Sequence, residues 1–150
     1  IEDEFNFLKD KWPNALPSGT IHADLFPDNI LFTGGKITGV IDFYFGCTDM
    51  LAYDLAVCIN AWCFDENHAF EANKAKRLVE MYDINRRLTP AEQDALPLLC
   101  RGAALRFLLT RLYDWLNPID GAAVRPKDPA DYVKRLRFHQ QVKDAASYVV

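Results

Sequence analysis

The chain has 150 residues, half of them apolar and a quarter charged, which suits one packed domain and excludes a disordered segment. A formal net charge of −4 argues against nucleic acid as the main partner, and the densest basic run, Lys134-Arg135-Leu136-Arg137, reads as a solvated helix face. No run approaches the ~18 apolar residues of a membrane span, and no signal peptide is recognisable.

Ile1, Phe5, Leu8 and Trp12 share one face of a first helix, which Pro13 stops. The chain begins inside that helical pattern without a cap, so it is expected to be a piece of something longer. Pro17-Ser18-Gly19 makes a loop, and Thr20-Ile21-His22 is short and extended. Residues 30–32 and 36–41 flank a Gly34-Gly35 turn and predict a β-hairpin. Everything after Asp49 reads as helical. One apolar helix carries Met50, Leu55 and Val57 and runs to about Trp62; a second covers 67–82. Thr89-Pro90-Ala91-Glu92 starts a third, with Thr89 as cap, Pro90 in the first turn and Glu92 closing a capping box. Residues 95–116 are apolar nearly all round and predict a central helix or pair of helices, ended by Asn117-Pro118. The stretch 117–128 is linker-like, and Asp128-Pro129 opens a last helix. The outline is a small β-element cradled by five or six helices, without internal repeats.

The chemistry concentrates in His22-Ala23-Asp24-Leu25-Phe26-Pro27-Asp28-Asn29 and in Asp42-Phe43, on either side of the hairpin. Isolated carboxylates between apolar runs are costly unless a cation sits between them. Asn29 lies just before the first hairpin strand and Asp42 just after the second, and antiparallel pairing brings two such positions together. An amide oxygen and a carboxylate meeting this way suit Mg²⁺, which takes a few protein oxygens plus water and phosphate. Asp24 then faces the same cavity, placed to accept a hydroxyl proton.

The order His22, Asp24, Asn29, hairpin, Asp42-Phe43 resembles the catalytic loop and metal-binding strand of the kinase fold. Protein kinases carry a Lys where this chain has Phe26, a Gly directly after Asp-Phe, and an Ala-Pro-Glu further on; all three are missing here. Asp42-Phe43-Tyr44-Phe45-Gly46, then Asp49 and Tyr53-Asp54-Leu55-Ala56, are similar instead to the aminoglycoside phosphotransferase and choline kinase superfamily. Within it, the Tyr44 and Trp62 neighbourhoods most resemble the homoserine kinases. The resemblance covers nearly the whole chain. It implies an α+β, mainly helical fold, the C-terminal catalytic lobe of a protein-kinase-like enzyme, forming a single domain over 1–150. By the same resemblance Asp24 is the catalytic base, Asn29 and Asp42 are Mg²⁺ ligands, and His22 and Asp54 buttress the catalytic loop. The implied reaction transfers the γ-phosphoryl group of ATP to the hydroxyl of L-homoserine, in threonine biosynthesis. The glycine-rich phosphate loop and its partner Lys and Glu are not in this chain. In the family they belong to an N-terminal ATP-binding lobe, so this chain by itself is expected to be inactive. A sister kinase for an aminoglycoside, choline or another small alcohol, and a non-catalytic kinase-like binding fragment, are the alternatives.

Other residues read more plainly. The four cysteines (Cys47, Cys58, Cys63 and Cys100) show no Cys-x-x-Cys pair, read as buried free thiols, and favour a reducing, cytoplasmic compartment. His68 and His139 read as surface residues on helices, and Trp62, Trp115 and Tyr113 as packing aromatics. Arg101, Arg106 and Arg111 fall in the apolar stretch, where an unpaired guanidinium is expensive. Pairing with Asp94, Asp114 or another acid is the expected arrangement, and one of the three could instead bind an amino-acid carboxylate bidentately. Asp28 or Asp49 could hold a substrate ammonium; spacing does not choose between them, and the substrate-binding residues stay unassigned.

Overall fold

A computed structural model describes residues 1–118 and 126–149. It is mainly helical, with two separate two-stranded antiparallel sheets. Six helices are described: α1 (Glu2–Lys11), α2 (Leu51–Trp62), α3 (Ala72–Asn85), α4 (Pro90–Leu116), α5 (Ala130–Gln141) and α6 (Ala146–Val149). Four strands accompany them: β1 (Ser18–Ile21), β2 (Ile30–Thr33), β3 (Lys36–Val40) and β4 (Cys47–Met50). Most of the linker expected over 117–128 lies outside the described residues.

The core forms where α2 crosses α4. Ala52, Ala56, Val57 and Ile59 of α2 and Leu99, Cys100, Ala103 and Ala104 of α4 are fully buried, and their small side chains let the two backbones approach closely. The α4 start follows its sequence: the Thr89 hydroxyl accepts from Glu92 N–H at 3.2 Å while Glu92 accepts from Thr89 N–H at 2.9 Å. Arg86 pairs with the buried Glu92 at 2.7 Å, and this partner with the Thr89 bonds holds the carboxyl below its ordinary range against the opposing effect of burial. The 95–116 stretch is part of one 27-residue helix that passes through Pro97 unbroken. Arg101 of α4 pairs with buried Glu4 of α1, and Gln140 donates to the same carboxylate at 2.7 Å.

Several expectations are corrected. Met50 ends a strand, Cys47–Met50, instead of lying in the helix: β1 and β4 pair antiparallel, Ser18 opposite Met50 and Ile21 opposite Cys47. Helix α3 starts at Ala72, not 67, because Asp65 Oδ1 accepts from Asn67 and Ala69 N–H, both at 2.8 Å, and builds a turn there. His68 sits in that turn at φ 65° rather than on a helix. His139 is buried: Nδ1 faces the Tyr148 hydroxyl at 2.9 Å and Nε2 the Asn60 side-chain amide oxygen at 3.1 Å. Cys47 is exposed and Cys58 half-buried, whereas Cys63 and Cys100 are buried. Tyr113 and Trp115 lie on an exposed face of α4, while Trp62 is packed and donates to the Leu25 carbonyl at 2.8 Å. No described helix is long and apolar enough to cross a membrane.

Candidate active site

The β1–β4 ladder clips together the two ends of one excursion, residues 22–46, and that excursion holds His22, Asp24, Asn29 and Asp42. His22, Ala23 and Asp24 follow β1 directly. A 3₁₀ turn over Pro27–Asn29 leads into β2, with Pro27 at its first position where no backbone donor is needed. The hairpin turns at Gly34 and Gly35, both with positive φ (58° and 75°), the backbone a two-residue turn of this hand requires. Ile30 pairs with Val40, and Ile41 N–H donates to the Asn29 carbonyl at 3.0 Å. Asn29 and Asp42 therefore stand side by side at the open end of the hairpin, as their positions around the strands predict.

The backbone of the loop after β1 is held from behind. One carboxylate oxygen of Asp54, in the first turn of α2, accepts from His22 N–H at 3.1 Å and the other from Ala23 N–H at 2.8 Å. The His22 ring bridges the loop and the segment after the hairpin. Its Nε2–H donates to the Ile41 carbonyl at 2.9 Å, and Nδ1 accepts from Asp24 N–H at 3.3 Å. Both imidazole nitrogens are thus engaged with backbone, and Phe43 packs on the ring with centroids 4.7 Å apart. His22 and Asp54 are thus both hydrogen-bonded to the backbone of the loop that carries Asp24. Ala23 (φ 61°) and Asp42 (φ 61°) both take the left-handed backbone, which disfavours side chains with a Cβ. Such conformations persist where surrounding bonds over-determine them. Ala23 is secured through its N–H on Asp54 and its carbonyl, which accepts from Arg106 at 2.5 Å.

Asp24, Asn29 and Asp42 open onto one cleft of about 320 Å³, shared with Phe45, Arg106 and Asp114. Asn29 Nδ2 donates to the Asp24 carbonyl at 2.7 Å and approaches its carboxylate at 3.3 Å. This turns the amide so that Oδ1 is the free end, and neither it nor the Asp42 carboxylate has a hydrogen-bond donor among the described residues. No group of three or more His, Cys, Asp or Glu among those residues is disposed to hold a metal by itself. One amide oxygen and one carboxylate are instead the kind of partial set that Mg²⁺ completes with water and phosphate, and the donor chemistry fits that ion. Burial pushes the Asp24 carboxyl above its ordinary range and the nearby Asp42 adds to this; Arg106, His22 and the Asn29 bond pull the other way. Asp49, one of the two acids considered for a substrate ammonium, is not among the residues lining this cleft; Asp28 is, and pairs with Lys127 at 2.8 Å.

Among the cleft residues that sequence reasoning left undecided or unnoticed are Arg106, Arg111, Asp114 and Lys127. The available signal was spacing, since Arg106, Thr110 and Asp114 recur every four residues along one helix face and all line the cleft. The three helical arginines separate cleanly: Arg101 goes to Glu4, Arg111 to Asp131 at 3.2 Å, and Arg106 to a backbone carbonyl.

A model of the phosphotransferase enzyme family matches residues 1–88, more than half of the chain, and the chain belongs to that family. Among curated proteins it is 59% identical over 148 residues to a homoserine kinase of Afipia carboxidovorans, covering 99% of this chain and 45% of the relative. It is 57% identical over 150 residues to a homoserine kinase of Nitrobacter winogradskyi, covering 100% of this chain and 46% of the relative. With a homoserine kinase of Rhodopseudomonas palustris it shares 60% identity over 139 residues, covering 93% and 42%. The chain spans a little under half the length of these relatives.

Proposed function

We propose that the whole protein is a cytoplasmic small-molecule kinase that transfers the γ-phosphoryl group of ATP to the hydroxyl of L-homoserine, and that residues 1–150 are its C-terminal, catalytic lobe of protein-kinase-like fold. The observation that carries this reading is the convergence of Asp24, Asn29 and Asp42 on one cleft behind a loop anchored by Asp54. The names of the relatives, all homoserine kinases, support the substrate.

In this reading Asn29 and Asp42 hold Mg²⁺, which supplies charge neutralisation on the transferring phosphates. The remaining work falls to the chain itself. Asp24 accepts the proton of the substrate hydroxyl as its oxygen attacks, and His22 and Asp54 fix the loop so that this carboxylate does not wander. The nucleotide-binding lobe is the part of the protein that this chain lacks. The exposed apolar face at the hairpin, with Phe32, Ile37, Phe43 and Tyr44, suits a further body of protein covering it. A polycationic aminoglycoside is the poorer match for this cleft, because Arg106, the one lining cation without a carboxylate partner among the described residues, asks for an anion that such a substrate does not carry.

The test is an assay of ADP release by the whole protein with L-homoserine, choline and an aminoglycoside in parallel. Turnover with L-homoserine alone, reduced about 10³-fold by Asp24→Asn as loss of a positioned base predicts, is the expected result. Turnover with choline or the aminoglycoside instead would keep phosphoryl transfer and overturn the substrate. Undiminished turnover in Asp24→Asn would overturn the role of that residue.

A further inference from the structure

Of the three cations lining the cleft, two are already neutralised: Arg111 by Asp131 at 3.2 Å and Lys127 by Asp28 at 2.8 Å. Arg106 is the exception. No carboxylate lies within ion-pair distance of it among the described residues. Its guanidinium is flanked by the rings of Phe107 and Phe45, at 4.7 Å and 5.2 Å from their centroids, and one Nη1–H donates to the Ala23 carbonyl. Flanking rings soften the loss of solvent around a cation and fix the plane of the fork. They accept no conventional hydrogen bond. A guanidinium has five N–H donors, so after the Ala23 carbonyl, and with the Tyr53 hydroxyl nearby, donors remain for an anion entering the cleft.

We propose that Arg106 is the receptor for the substrate's carboxylate and therefore the residue that restricts this enzyme to short hydroxy acids. The proposal rests on the phosphoryl-transfer reading above and adds to it the part of the acceptor that is recognised. Its geometry follows from chain connectivity. Arg106 bonds the carbonyl of Ala23 and Asp24 is the next residue, so a carboxylate on the guanidinium lies close to a hydroxyl on the Asp24 carboxylate. A four-carbon hydroxy acid spans such an interval, whereas a long or bulky alcohol would place its remainder against Phe45 and Phe107. Choline, which carries no anion, would leave the guanidinium unpaired in a partly desolvated cleft, a penalty that rejects it.

The rival role for Arg106 is purely structural, bracing Ala23 in its left-handed conformation. The two roles separate when L-homoserine is compared with 3-aminopropan-1-ol, the same molecule without its carboxylate. With the whole protein, the ratio of kcat/KM for homoserine to that for 3-aminopropan-1-ol is measured in wild type, Arg106→Gln and Arg106→Lys. Charge-assisted hydrogen bonds of this kind are worth about 10- to 100-fold in affinity. The expected result is a ratio that falls about 100-fold in Arg106→Gln, mainly through KM for homoserine, and by less in Arg106→Lys, which keeps the charge and loses the fork. Because a general loosening of the loop lowers both substrates together, an unchanged ratio in both variants would overturn the proposal and leave Arg106 as a brace. Absence of homoserine turnover in the wild type is a different failure, since it would overturn the substrate itself before any variant is measured.

Discussion

Two regions of this molecule use apolar side chains in opposite ways. In the α2–α4–α5 core, Ala52, Leu99, Ala103 and Tyr132 are completely buried. In the 22–46 excursion, Ile37, Phe43 and Tyr44 are 65%, 63% and 86% exposed. The core is closed on itself and owes its order to packing. The excursion owes its order to hydrogen bonds at its base: the β1–β4 ladder, the Asp54 carboxylate on two backbone amides, and His22 on the Ile41 carbonyl. A hairpin with so little of its own burial is marginal alone, yet it carries Asn29 and Asp42. Precision at the candidate site is therefore supplied from behind, by polar contacts to α2 and α4, while the apolar face of the hairpin stays exposed in this chain.

The sharpest way to break that contrast is in the core. Leu99→Ala removes a fully buried side chain from the α2–α4 crossing and is expected to destabilise the 150-residue chain by about 3 kcal/mol. Denaturant unfolding would show this as a lower midpoint with an unchanged slope. A loss below about 1 kcal/mol would mean that the crossing is loosely packed and that the two regions differ less than their burial indicates.

The next effect comes from His139, the one histidine sealed in the core. Asn60, Tyr148 and Arg135 face it, with Cys100 beyond Tyr148 and the rings of Phe64, Phe70 and Phe138 around the cluster. Burial, with the Arg135 charge adding to it, lowers the imidazole from 6.5 to about 3. The neutral ring is the folded form, so above pH 6.5 its protonation is the same in both states and has no effect. As pH falls below 6.5 the unfolded chain takes up a proton that the folded chain refuses until about pH 3, and stability declines across that window. Between pH 7 and pH 5 the decline is about 2 kcal/mol. Thermal midpoints of wild type and His139→Gln, measured from pH 7 to pH 5, should converge as the wild type loses stability and the variant holds level. Parallel curves would show that His139 titrates normally and is open to water.

How much of this could be read beforehand depended on whether the relevant partners were near in sequence. The clustering of the candidate site was legible because His22, Asp24, Asn29 and Asp42 fall within 21 residues around a hairpin that glycines announce, and the α4 start because its capping box is four consecutive residues. Strand β4 was not legible: Cys47-Thr48-Asp49 has no apolar alternation, and it is a strand only because Ser18–Ile21 lies against it. His139 looked solvated because its helix is basic, and only Asn60 and Tyr148, from other elements, reveal otherwise. The arginines posed the same difficulty. Nothing local says that Arg101 will meet Glu4, 97 residues away, or that Arg106 will meet a carbonyl.

The smallest effect tests the other half of the contrast. Ile37 lies on β3 at the exposed face of the hairpin, 65% exposed, so in the 150-residue chain Ile37→Lys removes little buried surface and should change the unfolding free energy by less than about 0.5 kcal/mol. The same substitution in the whole protein has a different expected outcome. If the hairpin face is where the proposed nucleotide-binding lobe sits, Lys at 37 puts a charge into a covered apolar contact and lowers the thermal midpoint clearly, since a desolvated unpaired charge is costly. The difference between the two chains is the informative quantity, because local strand propensity cancels in it. Equal and small changes in both would leave the hairpin open to water in the whole protein and place the covering lobe elsewhere. A large change in the 150-residue chain would mean that the hairpin packs against its own core in solution, and that the excursion and the core are one cooperative unit.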